Sequence, residues 1–183
     1  MKKLFLLSAL TCLAVLAKAQ SSAYHAFKVD LGLGYAIPAG GSSDGVKAGA
    51  TFTVEPHYRL SDAVAIGFRF EGAGLGYENG ADSDPEISIL TSYCPTVQYY
   101  LAAAGFRPFF GAGAGLFSQS SLNVNSGTGN INVPVEGATR FGFFPRLGFE
   151  VGHFRMSGEY NILGNSSNYA AFKIGFFLGG GKK

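Results

Sequence analysis

The stretch that decides the fold is Arg140-Phe-Gly-Phe-Phe-Pro-Arg-Leu-Gly-Phe-Glu-Val-Gly-His-Phe-Arg-Met-Ser-Gly-Glu-Tyr160. Phe141, Phe143, Pro145, Leu147, Phe149 and Val151 alternate with Arg140, Gly142, Arg146, Gly148 and Glu150. After Gly152-His153 the alternation resumes, with Phe154, Met156, Tyr160 and Ile162 set against Arg155, Ser157, Glu159 and Asn161. Period-two alternation is the mark of a strand with two unlike faces, so this is a hairpin. If Gly152-His153 is its two-residue turn, opposed residues sum to 305. Arg146 then faces Glu159, and Glu150 faces Arg155. Opposed side chains in a sheet lie about 4.5–5.5 Å apart at Cβ, so both charge pairs fall within reach.

The same pattern extends over most of the chain. Phe27, Val29, Leu31, Leu33, Tyr35 and Ile37 oppose Lys28, Asp30, Gly32, Gly34 and Ala36. Val46 to Leu60 repeats it, with Lys47, Gly49, Thr51, Thr53, Glu55, His57 and Arg59 on the polar side. Val64, Ile66, Phe68 and Phe70 oppose Gly67, Arg69 and Glu71. The larger residues then change phase to Ala73, Leu75 and Tyr77, which predicts a bulge near Gly72. A fourth stretch runs over about 87–101, and Phe172, Ile174, Phe176 and Leu178 form the outer face of the last. The fifth, Arg107 to Gln119, is rich in Gly, Ala and Phe and ambiguous in phase. A three-residue turn at Ser61-Asp62-Ala63 sets Glu55 opposite Arg69.

The expected fold class is therefore all-β: an eight-stranded antiparallel up-and-down transmembrane β-barrel. Strands of this length suit a bilayer crossed at a tilt of about 45°. The interior of an eight-stranded barrel is just wide enough for side chains to fill. Small and paired charged residues fit that lumen, and Phe, Leu, Ile, Val and Tyr fit lipid. Connections alternate strictly between short (61–63, 102–106, 152–153) and long (about 38–45, 78–86, 118–139 and 163–168). Short periplasmic turns and longer external loops are the habit of outer-membrane barrels, which places both termini in the periplasm.

Composition agrees. Of 183 residues, 47% are hydrophobic and 14% charged, with 27 Gly, 17 Phe, 9 Tyr and no Trp. Soluble domains carry about 25% charged residues. Lys2, Lys3, the uncharged run Leu4 to Ala17 and the small-x-small site Ala17-Lys18-Ala19 predict a signal peptide over 1–19. The barrel domain is then 20–183. Without Lys2, Lys3 and Lys18, eleven basic and twelve acidic residues remain, net −1. That excludes a basic nucleic-acid surface. Cys94 is then the sole cysteine, and no internal disulfide forms.

The chain resembles the small eight-stranded outer-membrane β-barrel proteins, such as OmpA's barrel, OmpX and OmpW. The resemblance covers about 26–178 and rests on the leader, the eight strands, the loop asymmetry and the final strand, Tyr169 to Leu178. That strand is similar to the family's assembly signal, though Gly179-Gly180-Gly181-Lys182-Lys183 follows it. The resemblance implies an integral protein of a Gram-negative cell outer membrane, in contact with lipid and lipopolysaccharide. It also implies recognition of the last strand by the barrel-assembly machinery. A monomer is expected.

The candidate functional residues are a lumen charge network: Glu55, Arg69, Glu71, Arg146, Glu150, Arg155, Glu159 and Lys173. Lys28, Asp30, Lys47, His57, Arg59 and Arg140 share the inward phase. The network reads as neutralisation of a filled core, or as a gate in a narrow pore. No catalytic, cofactor-binding or metal-ligating set is assigned, and no enzyme activity is expected. The histidines are His25, His57 and His153, and no Gly-x-Ser-x-Gly elbow occurs. Asp82, Asp84 and Glu86 lack the spacing of a calcium loop. Gly111-Ala112-Gly113-Ala114-Gly115 lies within a strand and opens no helix, so it favours close packing over phosphate binding. Three functions stay open: a structural or loop-presenting barrel, a narrow channel for small or hydrophobic solutes, and, remotely, a lipid-modifying enzyme of the outer membrane.

Overall fold

Alternation with a large apolar face buries nothing in a single strand. Closing eight such strands into a cylinder satisfies every edge and places one face in lipid. The computed structural model does this. It describes residues 24–39, 46–77, 86–124, 131–132, 138–164 and 167–181. The strands are β1 (Phe27–Pro38), β2 (Val46–Arg59), β3 (Val64–Tyr77), β4 (Glu86–Tyr100), β5 (Phe106–Val124), the two-residue β6 (Ile131–Asn132), β7 (Ala138–Val151), β8 (Phe154–Asn161) and β9 (Tyr169–Gly179). Every pairing is antiparallel. The order β4-β3-β2-β1-β9-β8-β7-β5 closes through β4–β5, while β6 only extends the β5 hairpin. The described residues include no helix long and apolar enough to cross a membrane; the crossing is made by strands.

The two faces divide as the pattern requires. Phe141 and Leu147 are each 70% exposed, whereas Arg59 and Arg69 are at 0%. That inversion of the soluble norm holds only if the outer face meets lipid. An aromatic girdle marks the short-turn end, where Tyr99 lies against Phe110 and Phe106 against Phe149, with ring centres 5.4 and 5.1 Å apart. Both hairpin registers read from the turns are present: Arg146 opposite Glu159, Glu150 opposite Arg155, and the β2–β3 pairing of His57 with Gly67 and Val54 with Phe70. The backbone N–H of His25 donates to the Gly181 carbonyl at 2.9 Å, so the first and last described residues meet at the short-turn end.

Two details differ from expectation, and a third, the phase of β5, is resolved. The bulge is not at Gly72: β3 pairs with β4 without interruption, and the register shift lies across from it in β2, between Lys47 and Ala50. Ala73 and Leu75 are inward and buried, continuing the phase of Arg69 and Glu71, because this level of the lumen is apolar. Size was therefore a poor guide to direction there. The long connection also starts later than residue 118, since β5 runs to Val124 paired with β4 and, through β6, with the returning chain. Finally, β5 turns Arg107, Phe109, Gly113, Gly115 and Phe117 inward and Phe106, Phe110 and Leu116 outward. The expected leader and most of the expected long loops, including Asp82 and Asp84, lie outside the described residues.

Candidate functional site

Lys28 and Asp30 of β1, Glu55, His57 and Arg59 of β2, Arg69 and Glu71 of β3, Arg146 and Glu150 of β7, Arg155 and Glu159 of β8, and Lys173 of β9 are all buried in the lumen. They occupy successive levels along the axis.

At the short-turn mouth, Glu150 is the hub. Its Oε1 accepts from Lys28, from Arg155 at 2.6 Å and from the Tyr100 hydroxyl at 2.9 Å. Its Oε2 lies 3.4 Å from Arg59 and 3.8 Å from Arg107. Asp30 serves Lys28 at 2.9 Å and Arg155 at 3.2 Å. Above this, His57 Nε2 stands 2.9 Å from Asp30 and 3.4 Å from Glu55. Glu55 accepts from the Thr96 hydroxyl at 2.6 Å and from Arg146 at 2.7 Å.

The deepest charged level centres on Glu159. It accepts from Arg69, from Arg146 at 2.9 Å and from Lys173 at 3.0 Å. Lys173 also donates to Glu71, whose other oxygen takes the Tyr169 hydroxyl at 2.6 Å. Arg69 adds Ser92 at 3.0 Å and Asn161 at 3.1 Å. Beyond Glu71, Leu75, Leu90, Phe117, Phe144, Leu163 and Tyr169 form a buried apolar cluster toward the long-loop end.

All eight residues of the expected network therefore face the lumen, but one expected partnership changes. Glu55 and Arg69 share a register level, yet Glu55 bonds to Arg146 across the lumen and Arg69 to Glu159. The narrow bore brings long side chains from opposite walls as close as cross-strand neighbours. Arg140 lies nearer the far rim and donates to the Ser167 hydroxyl at 3.1 Å. Arg107 is buried and was missed, because the phase of β5 was unread. The signal was available: Gly111, Gly113 and Gly115 share its phase, as glycine shares the lumen face in β1 and β7.

Aromatic rings also turn inward, contrary to the expectation of a lumen holding small and charged groups. Phe144 lies 3.7 Å from the Arg69 guanidinium, and Phe109 lies 4.1 Å from that of Arg155. A ring face attracts a desolvated cation, so these rings pack the arginine arms as well as filling space. Facing glycines make the room: a Cβ on Gly113 would strike Phe144, and one on Gly148 would lie 2.6 Å from Phe109.

Among the described residues, Asp30, Glu55 and His57 are the one group of three metal-type ligands, with donor atoms within 4.8 Å of one another. Their carboxylates already serve Lys28, Arg155 and Arg146. A divalent ion there would sit against three cations, so the arrangement suits salt bridging and not metal.

The comparisons agree with this architecture. Among solved structures, OprG from Pseudomonas aeruginosa is similar at 13% identity and TM-score 0.55, covering 87% of this chain and 97% of its own. Neisserial surface protein A is similar at 16% identity and TM-score 0.54, covering 85% and 98%. At these identities the likeness is one of fold. No curated protein matches the chain in sequence. The family model described as outer membrane protein beta-barrel domain matches residues 5–181, and with a closed barrel bearing a lipid-type outer face, the chain belongs to that bacterial outer-membrane family.

Proposed function

We propose that the protein is a sealed, non-enzymatic outer-membrane barrel whose role is structural or carried by its external loops. The observation that carries this reading is the filled lumen. The central cavity, between Asp30, Glu55, Arg146, Arg155 and Glu159, measures about 20 Å³. One water needs about 10–15 Å³ measured in this way, so the space holds a water and not a solute path. The buried apolar cluster around Phe117 and Phe144 supports the same reading on the far side. In this reading the chain is exported from a Gram-negative cytoplasm by residues 1–19 and assembled through its last strand. It sits as a monomer against outer-membrane lipid and lipopolysaccharide.

Planar-bilayer recording on the folded barrel tests the proposal. The expected result is no steady conductance, and openings of porin size would overturn it. A second reading, a narrow gated channel, is favoured by the unbroken run of charged levels from Glu150 to Glu71. It requires small, rare openings that change when Glu159 or Arg146 is neutralised.

A further inference from the structure

The charges of the lumen do not balance evenly along the axis. The deep level is even: Arg69, Arg146 and Lys173 against Glu55, Glu71 and Glu159. At the mouth, Lys28, Arg59, Arg107 and Arg155 gather around Asp30 and Glu150. With Asp62 of the adjoining turn counted, cations still outnumber carboxylates among the described residues.

Arg59 and Arg107 carry the surplus. Lys28, Arg155 and Tyr100 hold the near oxygen of Glu150, and these two arginines reach only its far oxygen, at 3.4 and 3.8 Å. Arg59 donates one long hydrogen bond to that oxygen, and the other hydrogen bonds of the two arginines go to neutral carbonyls. Arg59 donates to Gly180, and Arg107 donates to Ala102 at 3.2 Å and Asp62 at 2.8 Å. The buried Nε of Arg59 has no hydrogen-bond partner. Tyr24 lies between the two guanidinium groups, its ring centre 4.7 Å from one and 4.3 Å from the other. Buried cations without a full anion are costly.

A cavity of about 290 Å³ opens beside Arg107, lined also by Tyr24, Glu150, His153 and the backbone of Gly180 and Gly181. That is near the lower end of the range of about 300–1,000 Å³ for ligand pockets. Guanidinium forks bind oxyanions through paired, charge-assisted hydrogen bonds. The carboxylate on the cavity wall is already surrounded by cations, so its repulsion is offset.

We propose that this short-turn mouth is an oxyanion site, which seats a phosphate-type group, free or on a lipid headgroup, against Arg107, with Arg59 adding its positive charge from behind the Tyr24 ring. The inference is independent of whether the lumen conducts. The test uses the full chain folded in zwitterionic micelles. Inorganic phosphate is titrated in by calorimetry, and retention of phosphatidylglycerol against phosphatidylcholine is read by native mass spectrometry.

Submillimolar phosphate binding, weakened at least tenfold by Arg107→Gln and unchanged by Arg140→Gln at the far rim, supports a free anion. Selective retention of phosphatidylglycerol that Arg107→Gln abolishes, without phosphate binding, supports the headgroup. Should Arg107→Gln fail to fold, Tyr24→Ala leaves every lumen charge in place and is expected to weaken the same binding severalfold. Absence of both kinds of binding in the unaltered protein overturns the proposal, as does binding indifferent to the Arg107 and Tyr24 substitutions.

Discussion

The level around Glu159 and the level around Glu150 are built from the same residue types and behave as opposites. Around Glu159, three cations meet three carboxylates, and Tyr169, Ser92 and Asn161 add hydrogen bonds, although the buried Nε of Arg69 has no hydrogen-bond partner, as that of Arg59 has none at the mouth. Around Glu150, four cations crowd two carboxylates, and two arginines lean on backbone carbonyls and an aromatic ring. Position along the axis accounts for the difference. The deep level lies between the mouth charges and an apolar cluster, beside a cavity with room for about one water, so no free anion can enter to correct an imbalance. The mouth borders an open cavity and can share its excess charge. Balance is thus required where the lumen is sealed and relaxed where it opens.

The largest effect expected from this contrast is at Glu159. Glu159→Gln leaves Arg69, Arg146 and Lys173 short of their shared acceptor. Removing one partner of a buried ion pair costs about 3–5 kcal/mol. Glu150→Gln is expected to cost less than half as much, since water or an anion entering the mouth can take its place. Urea titration of folding into lipid vesicles measures both. Equal losses would erase the distinction between the levels.

A smaller effect, about 1–3 kcal/mol, is expected where the aromatic rings meet their facing glycines, because overpacking strains a filled interior. Gly113→Ala sets a methyl group against the Phe144 ring, which itself lies over Arg69. Phe144→Leu in the same protein should recover most of the loss. If Gly113→Ala is neutral and Gly72→Ala, which meets nothing within 4 Å, is not, the lumen is looser than described.

What could be read in the sequence follows the same division. Strand number, the β7–β8 register and most of the inward set were legible because alternation with period two is a property of each strand alone, while Lys47, expected inward, is exposed beyond the register shift in β2. The phase of β5 was not, because its alternating Gly and Ala carry no size contrast, and Arg107 was lost with it. The apolar cluster was hidden for a related reason. Ala73 and Leu75 follow Glu71 on the same face, so a lumen that changes from charged to apolar mimics a slip in phase. Cross-lumen partners lay outside any hairpin reading, because they depend on the bore of the closed cylinder.

The subtlest consequence concerns two pairs that register alone treats as equivalent. Arg146 and Glu159 are opposed across β7–β8 and joined at 2.9 Å. Glu55 and Arg69 are opposed across β2–β3 by the same logic, yet each bonds to the far wall. Contacting residues in one network couple by about 0.5–3 kcal/mol, whereas independent sites add within about 0.3–0.5 kcal/mol. Double-mutant cycles with Arg146→Gln and Glu159→Gln, and with Arg69→Gln and Glu55→Gln, should therefore separate. The first coupling is expected above 0.5 kcal/mol. The second should be smaller, since Arg146 and Glu159 stand between its members and transmit only part of the effect. The cross-lumen cycle of Arg69 with Glu159 should resemble the first. If Glu55 and Arg69 instead couple as strongly as Arg146 and Glu159, the wall governs pairing and the bore does not. The Glu159 level would then be two hairpin pairs side by side, not a network spanning the lumen.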